Sequence, residues 1–126
     1  MPTEEQMRAA MQAYIDGFAN ADLDALVGLY ADDAIVEDPV GGEVRQGLEA
    51  IRAFYAQALE TGAKLKLSAP IRTSHGNAAA MAFEVHLNYQ GADMVIHAID
   101  VMTFNDAGEF ASMKAYWGPG DMAVKG

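Results

Sequence analysis

The chain has 126 residues, 52% of them hydrophobic, and 18 Asp and Glu against 8 Lys and Arg give it a formal net charge of −10. That length supports one domain, residues 1–126, with a single core, and that charge repels phosphate backbones and anionic lipid surfaces, so nucleic acid and membrane are excluded as partners. The absence of cysteine excludes disulfides, thiol catalysis and cysteine metal sites.

The N-terminus, Met-Pro-Thr-Glu-Glu, has neither a basic region nor an apolar run, and no apolar stretch is long enough to span a bilayer. The expectation is a soluble, cytoplasmic protein without a signal peptide. Thr3 and Gln6 stand at capping-box spacing, and Met7, Met11, Tyr14, Ile15 and Phe18 follow at helical intervals, which predicts a first helix with Tyr14 on its apolar stripe. Asp22 caps a short second helix whose Leu23, Leu26, Val27 and Tyr30 share a face, and the Ala/Asp run through Asp32 and Asp33 closes it. Residues 34–38 read as a short strand stopped by Pro39, with Gly41 and Gly42 in the turn beyond. A third helix is predicted over 47–60, with Leu48, Ile51, Tyr55, Ala58 and Leu59 on one face and Gly62 behind its end.

From residue 64 onward the period changes to two, through KLKLSAPIRTS, AAAMAFEVHLNYQ, DMVIHAIDVMTFN and EFASMKAYWG. Met81, Phe83, Val85, Leu87 and Tyr89 fall on one face and Glu84, His86 and Asn88 on the other. QGAD and NDAG are hairpin turn signals, so these segments form an antiparallel meander. The pattern predicts an α+β domain in which three N-terminal helices pack on one face of a curved, mainly antiparallel β-sheet. The surplus of apolar side chains, eight methionines among them, predicts that some line a cavity or a subunit interface.

Several residues sit against this pattern. Asp100 has Ile99 and Val101 beside it and Ala98 and Met102 two positions away, so both faces around it are apolar. A carboxylate there must be paired, be protonated, or reach water at the sheet edge; no strand-borne Lys or Arg is an obvious partner, since Lys114 and Arg72 lie in more polar contexts. Asp38 shares a face with Ala34 and Val36, and Pro39 restricts where it points, although most Asp-Pro pairs simply begin turns. Tyr14, Tyr30 and Tyr55 each need a hydrogen-bond partner if buried, from the backbone or from one another. Three phenols converging on an aspartic acid would form an oxyanion hole.

Residues 16–49 hold nine acids and one base, Arg45, and most of these acids read as a solvated face. His75, His86 and His97 lack metal-ligand spacing. Nucleophile elbow, Walker loop and dinucleotide fingerprint are all missing.

The segments AYIDGFANADLDALVGLYADDAIVEDPVGG, IRAFYAQAL and AIDVMTFNDAGEFASMKAYW resemble the bacterial steroid delta-isomerases, or ketosteroid isomerases, of the nuclear-transport-factor-2-like (SnoaL-like) cone-fold superfamily. The resemblance covers nearly the whole chain, and its most specific part is YADDAIVEDPVG, since VEDP before a glycine is where that family keeps its base. It implies that Asp38 is the general base, that Tyr14 and a protonated Asp100 form the oxyanion hole, and that Tyr30 and Tyr55 extend the network behind Tyr14. Phe54, Met81, Phe83, Met113 and Trp117 would line the steroid pocket. A modestly perturbed Asp base beside a neutral Asp is the known pattern of these isomerases. The implied reaction converts 3-oxo-Δ5-steroids to 3-oxo-Δ4-steroids through a dienolate, without a metal or cofactor, in a homodimer. Alternatives on the same fold are a polyketide cyclase, an epoxide hydrolase, or a non-catalytic module binding small hydrophobic ligands; the hydrolase would need an Arg between two pocket acids, and no inward Arg is evident on a strand.

Overall fold

Thr3 opens the first helix as its spacing predicts: its hydroxyl accepts from the Gln6 backbone N–H at 3.1 Å while the Gln6 carboxamide accepts from the Thr3 N–H at 2.8 Å. In the computed structural model, which describes residues 1–125, helix α1 (Glu4–Ala19) leads to α2 (Leu23–Val27), whose N-cap Asp22 accepts from the Ala25 N–H at 3.1 Å. Strands β1 (Tyr30–Glu37) and β2 (Val44–Gln46) precede α3 (Leu48–Glu60). The remainder is β3 (Lys64–Leu67), β4 (Ala78–Tyr89), β5 (Ala92–Phe104), β6 (Phe110–Tyr116), a 3₁₀ turn at Pro119–Asp121 and β7 (Met122–Val124).

The strand order is β2-β1-β6-β5-β4-β3, with β7 pairing the start of β5. All pairings are antiparallel except β1 with β6. The expected meander is present. Its β4–β5 hairpin closes through Gln90 and Gly91, both at positive φ (51° and 84°), a two-residue turn whose twist matches that of the strands.

Helical and sheet faces meet in one core. Met7, Met11, Tyr14 and Phe18 of α1, Leu26 of α2, and Ile51 and Tyr55 of α3 pack against Val36, Met81, Phe83, Met102 and Met113 of the sheet. Two contacts set where α1 lies, and with it Tyr14. A Cβ on Gly17 would stand 2.5 Å from Leu26 Cδ2, so only glycine permits this approach of α1 to α2. At the end of α1, Lys64 Nζ donates to the Phe18 and Ala19 carbonyls at 2.9 and 3.1 Å, satisfying two orphan acceptors at the negative end of the helix dipole.

Two local expectations differ from the structure. The second helix ends at Val27, and Tyr30 opens β1 instead of completing a helical face; it is buried all the same. Asp32 and Asp33 are exposed residues of that strand and close no helix. The register of β1 explains the change: Tyr30 pairs with Phe110 and Ile35 with Ser112, with a bulge between, so the Asp pair occupies an irregular, solvated stretch that local sequence reads as a helix end. Among the described residues, no helix is long and apolar enough to cross a membrane.

Candidate active site

The open mouth of the curved sheet, covered by α1 and α3, holds a cavity of about 190 Å³. Its walls are almost wholly apolar: Phe18, Phe54, Leu65, Phe83, Val85, Leu87, Ile96, Ala98 and Ala115 contribute, with Trp117 at one end. Besides the Trp117 indole, five polar side chains reach it, Tyr14, Asp38, Tyr55, Thr61 and Asp100, and the Thr61 hydroxyl is already bonded to the Ala58 carbonyl.

Asp100 arrives from the middle of β5 on its inward face, where burial alternates strictly from Ile96 to Phe104. Its register neighbours are Met81 on β4 and Ala115 on β6, both buried. The residue is 1% exposed, and neither carboxyl oxygen has a hydrogen-bond partner among the described residues. Burial without a counter-ion, and to a lesser degree the negative charge of Asp38, hold its carboxyl well above the usual carboxylate range. Of the three possibilities open for this acid, pairing and escape to the sheet edge are absent, and the neutral form is the one its surroundings favour.

Asp38 follows the last residue of β1 and keeps to the face of Ala34 and Val36. The Asp38–Pro39 bond is cis. The chain beyond is tied to β6 by a hydrogen bond from Val40 N–H to the Ala115 carbonyl at 2.8 Å, while Glu37 turns outward to accept from Gly41 N–H at 2.9 Å. The indole Nε1–H of Trp117 donates to Asp38 Oδ1 at 2.8 Å. Burial raises the Asp38 carboxyl above its ordinary value, and the indole donor and the charge of Arg45 work against that rise. Asp38 is only half-buried. Two acids of one cavity thus have different surroundings.

The three tyrosines form a directed chain. Tyr55 donates to the Tyr14 hydroxyl at 3.0 Å, and since a phenol has one proton, Tyr30 must be the donor in its 2.5 Å contact with Tyr55. The proton of Tyr14 is then left to point into the cavity. All three rings are buried among Phe18, Phe54 and Phe110 in mostly edge-to-face contacts, and burial raises each phenol well above its usual pKa, so all remain donors.

Tyr14, Asp38, Asp100, Tyr55, Phe54, Phe83 and Trp117 therefore meet at one cavity, with Tyr30 one hydrogen bond behind it. Met81 and Met113 do not reach its wall. They are buried in the core, Met81 beside Asp100 and Met113 between Val36 and Met102, because their inward positions lie deeper under the helices than the mouth.

Outside this cavity a wider chamber of about 670 Å³ shares the walls of Phe54, Ala58, Leu87, Ile96 and Trp117. Arg45 stands there. It pairs with buried Val36 in the β1–β2 register and so faces inward, with its guanidinium 4.5 Å from the centre of the Phe54 ring. An inward Arg on a strand was not expected, because a three-residue strand leaves no alternation to detect. The inner cavity alone is smaller than the usual range for ligand sites, and the two chambers together fall within it.

A family profile described as a SnoaL-like domain matches residues 11–113. A steroid Delta-isomerase of Nocardioides simplex is 39% identical over 119 residues, which are 94% of this chain and 95% of that one. Epoxide hydrolase LasB of Streptomyces lasalocidi is 25% identical across 98% of this chain, which spans 51% of LasB. Among solved structures, the epoxide hydrolase/cyclase-like enzyme SalBIII, described for its role in pyran ring formation in the polyether salinomycin, is similar with a TM-score of 0.91 and 25% identity, over 99% of this chain and 100% of its own.

The environment of Asp100 has a measurable consequence for stability. An aspartate in the unfolded chain titrates near 3.8, and the folded value lies well above it, so the folded state holds a proton that the unfolded state releases. This contribution to stability is fully present below the unfolded pKa and is lost as pH rises, at about 1.4 kcal/mol per pH unit, until Asp100 itself ionises. Asp100→Asn removes that dependence. In urea unfolding between pH 5 and pH 8 the wild type should lose stability relative to the variant; parallel curves would show that Asp100 is ionised in the fold.

Proposed function

The chain belongs to the SnoaL-like domain family, and from that premise we propose that it is a steroid delta-isomerase, converting 3-oxo-Δ5-steroids to their conjugated 3-oxo-Δ4 isomers. The observation that carries this reading is the pair of unlike carboxyls in one apolar cavity, Asp38 with an N–H donor and Asp100 with none. A proton transfer within one molecule needs such a pair: one group to take and return a proton, another to donate to the oxygen where charge develops.

In the proposed reaction the ketone enters the inner cavity, where the Tyr14 hydroxyl and the Asp100 carboxyl donate to its oxygen. Asp38 takes the proton from the carbon between the ketone and the double bond. Electrons move onto the ketone oxygen, and the dienolate is held by the two donors. Asp38 then returns the proton to carbon 6, which leaves the double bond in conjugation. The hydroxyl of a neutral Asp100, unpartnered among the described residues at an expense of about 1–3 kcal/mol, gains an acceptor when the ligand oxygen arrives. Tyr55 and Tyr30 hold the Tyr14 proton toward the ligand. Trp117 aims Asp38. No step calls for a cofactor. By the same reading the protein works as a cytoplasmic homodimer, pairing through the outer face of the sheet, where Ile99 and Tyr116 are 48% and 46% exposed.

A second reading, epoxide opening by a hydrolase or cyclase, draws on the likeness to LasB and SalBIII. It is the weaker one, since Arg45 lines the outer chamber and does not stand between Asp38 and Asp100.

Incubation with 5-androstene-3,17-dione, followed by ultraviolet absorbance of the conjugated enone, tests the reading directly. Absorbance should rise far above the uncatalysed rate, and Asp38→Asn should reduce kcat by about 10²- to 10⁴-fold with steroid binding retained. No rise, or loss of binding together with turnover, contradicts the assignment. Tyr14→Phe should lower kcat by about 10²- to 10³-fold, whereas Tyr30→Phe, which removes one neutral hydrogen bond behind the site, should lower it about fivefold. Equal losses would contradict the directed chain.

A further inference from the structure

The isomerase reading uses Tyr14, Tyr55, Asp38, Asp100 and Trp117 of the inner cavity, and it leaves Arg45 of the outer chamber unexplained. We propose that Arg45 makes the outer chamber a carboxylate-binding subsite, so that the preferred substrates are apolar ring ketones whose far end, away from the reacting carbonyl, carries a carboxylate. The proposal rests on the isomerase reading for the ring system and on the geometry of Arg45 for the acid.

The side chain of Arg45 is 22% exposed, so a permanent charge is largely withdrawn from water. A guanidinium in that position ordinarily engages a carboxylate through both arms of its fork. Here the fork is poorly used. Nη1 reaches the Glu43 carbonyl at 3.3 Å, and Nη2 stands 3.7 Å from the carboxylate of Glu43, which is itself 78% exposed. Asp38 is near enough to feel the charge, yet it makes no ion pair with Arg45, and its Oδ1 accepts from Trp117. The guanidinium carbon lies over the Phe54 ring, 4.5 Å from its centre, which holds the charge at the wall that the two chambers share. The donors that the fork leaves free therefore belong to the outer chamber, which adjoins the inner cavity across Phe54.

Charge selects the ligand class. Arg45 is the sole cation lining either chamber among the described residues, in a chain of net charge −10. Glu60, an exposed residue of the same outer chamber, and Asp38 in the inner one make the surroundings unfavourable to a dianion such as a phosphate ester. A single carboxylate matches the one unsatisfied fork. A neutral far end would leave it as it is.

The test uses two steroids whose double bond is already conjugated, 3-oxo-4-androstene-17β-carboxylic acid and its methyl ester, with binding followed by the fluorescence of Trp117, the one tryptophan of the chain. The wild type should bind the acid about tenfold more tightly than the ester. In Arg45→Met that preference should vanish while the ester binds within about twofold of wild type, and Arg45→Lys should restore part of the preference. Absence of a preference in the wild type, its persistence in Arg45→Met, equal weakening of both ligands, or binding of neither overturns the proposal. Because no turnover is read, a retained acid preference in a protein that gives no enone contradicts the isomerase reading alone.

Discussion

The arrangement depends on one constraint: a carboxyl group placed on the buried face of a central strand with no cation paired to it among the described residues. Asp100 lies between Met81 and Ala115 in register and shares the cavity with Tyr14, and its surroundings oppose ionisation strongly. Burying a charge without a partner is among the largest penalties available to a fold, so this acid is pushed toward the neutral state in which it can donate a hydrogen bond. A paired Asp100 would be an anion of no use to an incoming ketone. In the proposed reaction the apolar character of the rest of the cavity is thus a chemical requirement as well as a means of holding an apolar ligand.

Asp38 obeys the opposite logic within the same cavity. It sits at the end of β1, half exposed, with an indole N–H on one oxygen and a guanidinium charge nearby, and both favour the anion against the pull of burial. In the proposed reaction this difference separates the base from the donor. The fold maintains it by drawing the two acids from different places, one from the middle of β5 and one from a strand end tied to β6 through Val40. The tyrosine chain adds direction, because Tyr30 and Tyr55 each give their proton toward Tyr14 and leave only the Tyr14 proton free.

Much of this was legible in the sequence, for identifiable reasons. The capping box at Thr3, the apolar stripes of α1 and α3 and the alternation of β4 and β5 are local patterns, and each produced the expected element. Asp100 stood out because alternation left it no polar surroundings. What escaped detection is set by non-local pairing. Tyr30 reads as the end of a helical face, and only the register of β1 against β6 makes it a strand residue. Met81 and Met113 occupy inward positions like Phe83, but which inward residues meet the cavity depends on how far the helices cover the sheet. Arg45 belongs to a strand of three residues, too short for a period, and its place over Phe54 follows from pairing with Val36.

The central claim is that Asp38 and Asp100 hold opposite protonation states in one cavity at neutral pH. Carbon-13 NMR of the aspartate carboxyls, assigned through Asp38→Asn and Asp100→Asn, reads both states in a single titration. The expected result is an Asp38 signal at the carboxylate position at pH 7, moving only in acid, beside an Asp100 signal that stays at the carboxylic acid position through pH 7. Two carboxylate signals at pH 7 would contradict the claim.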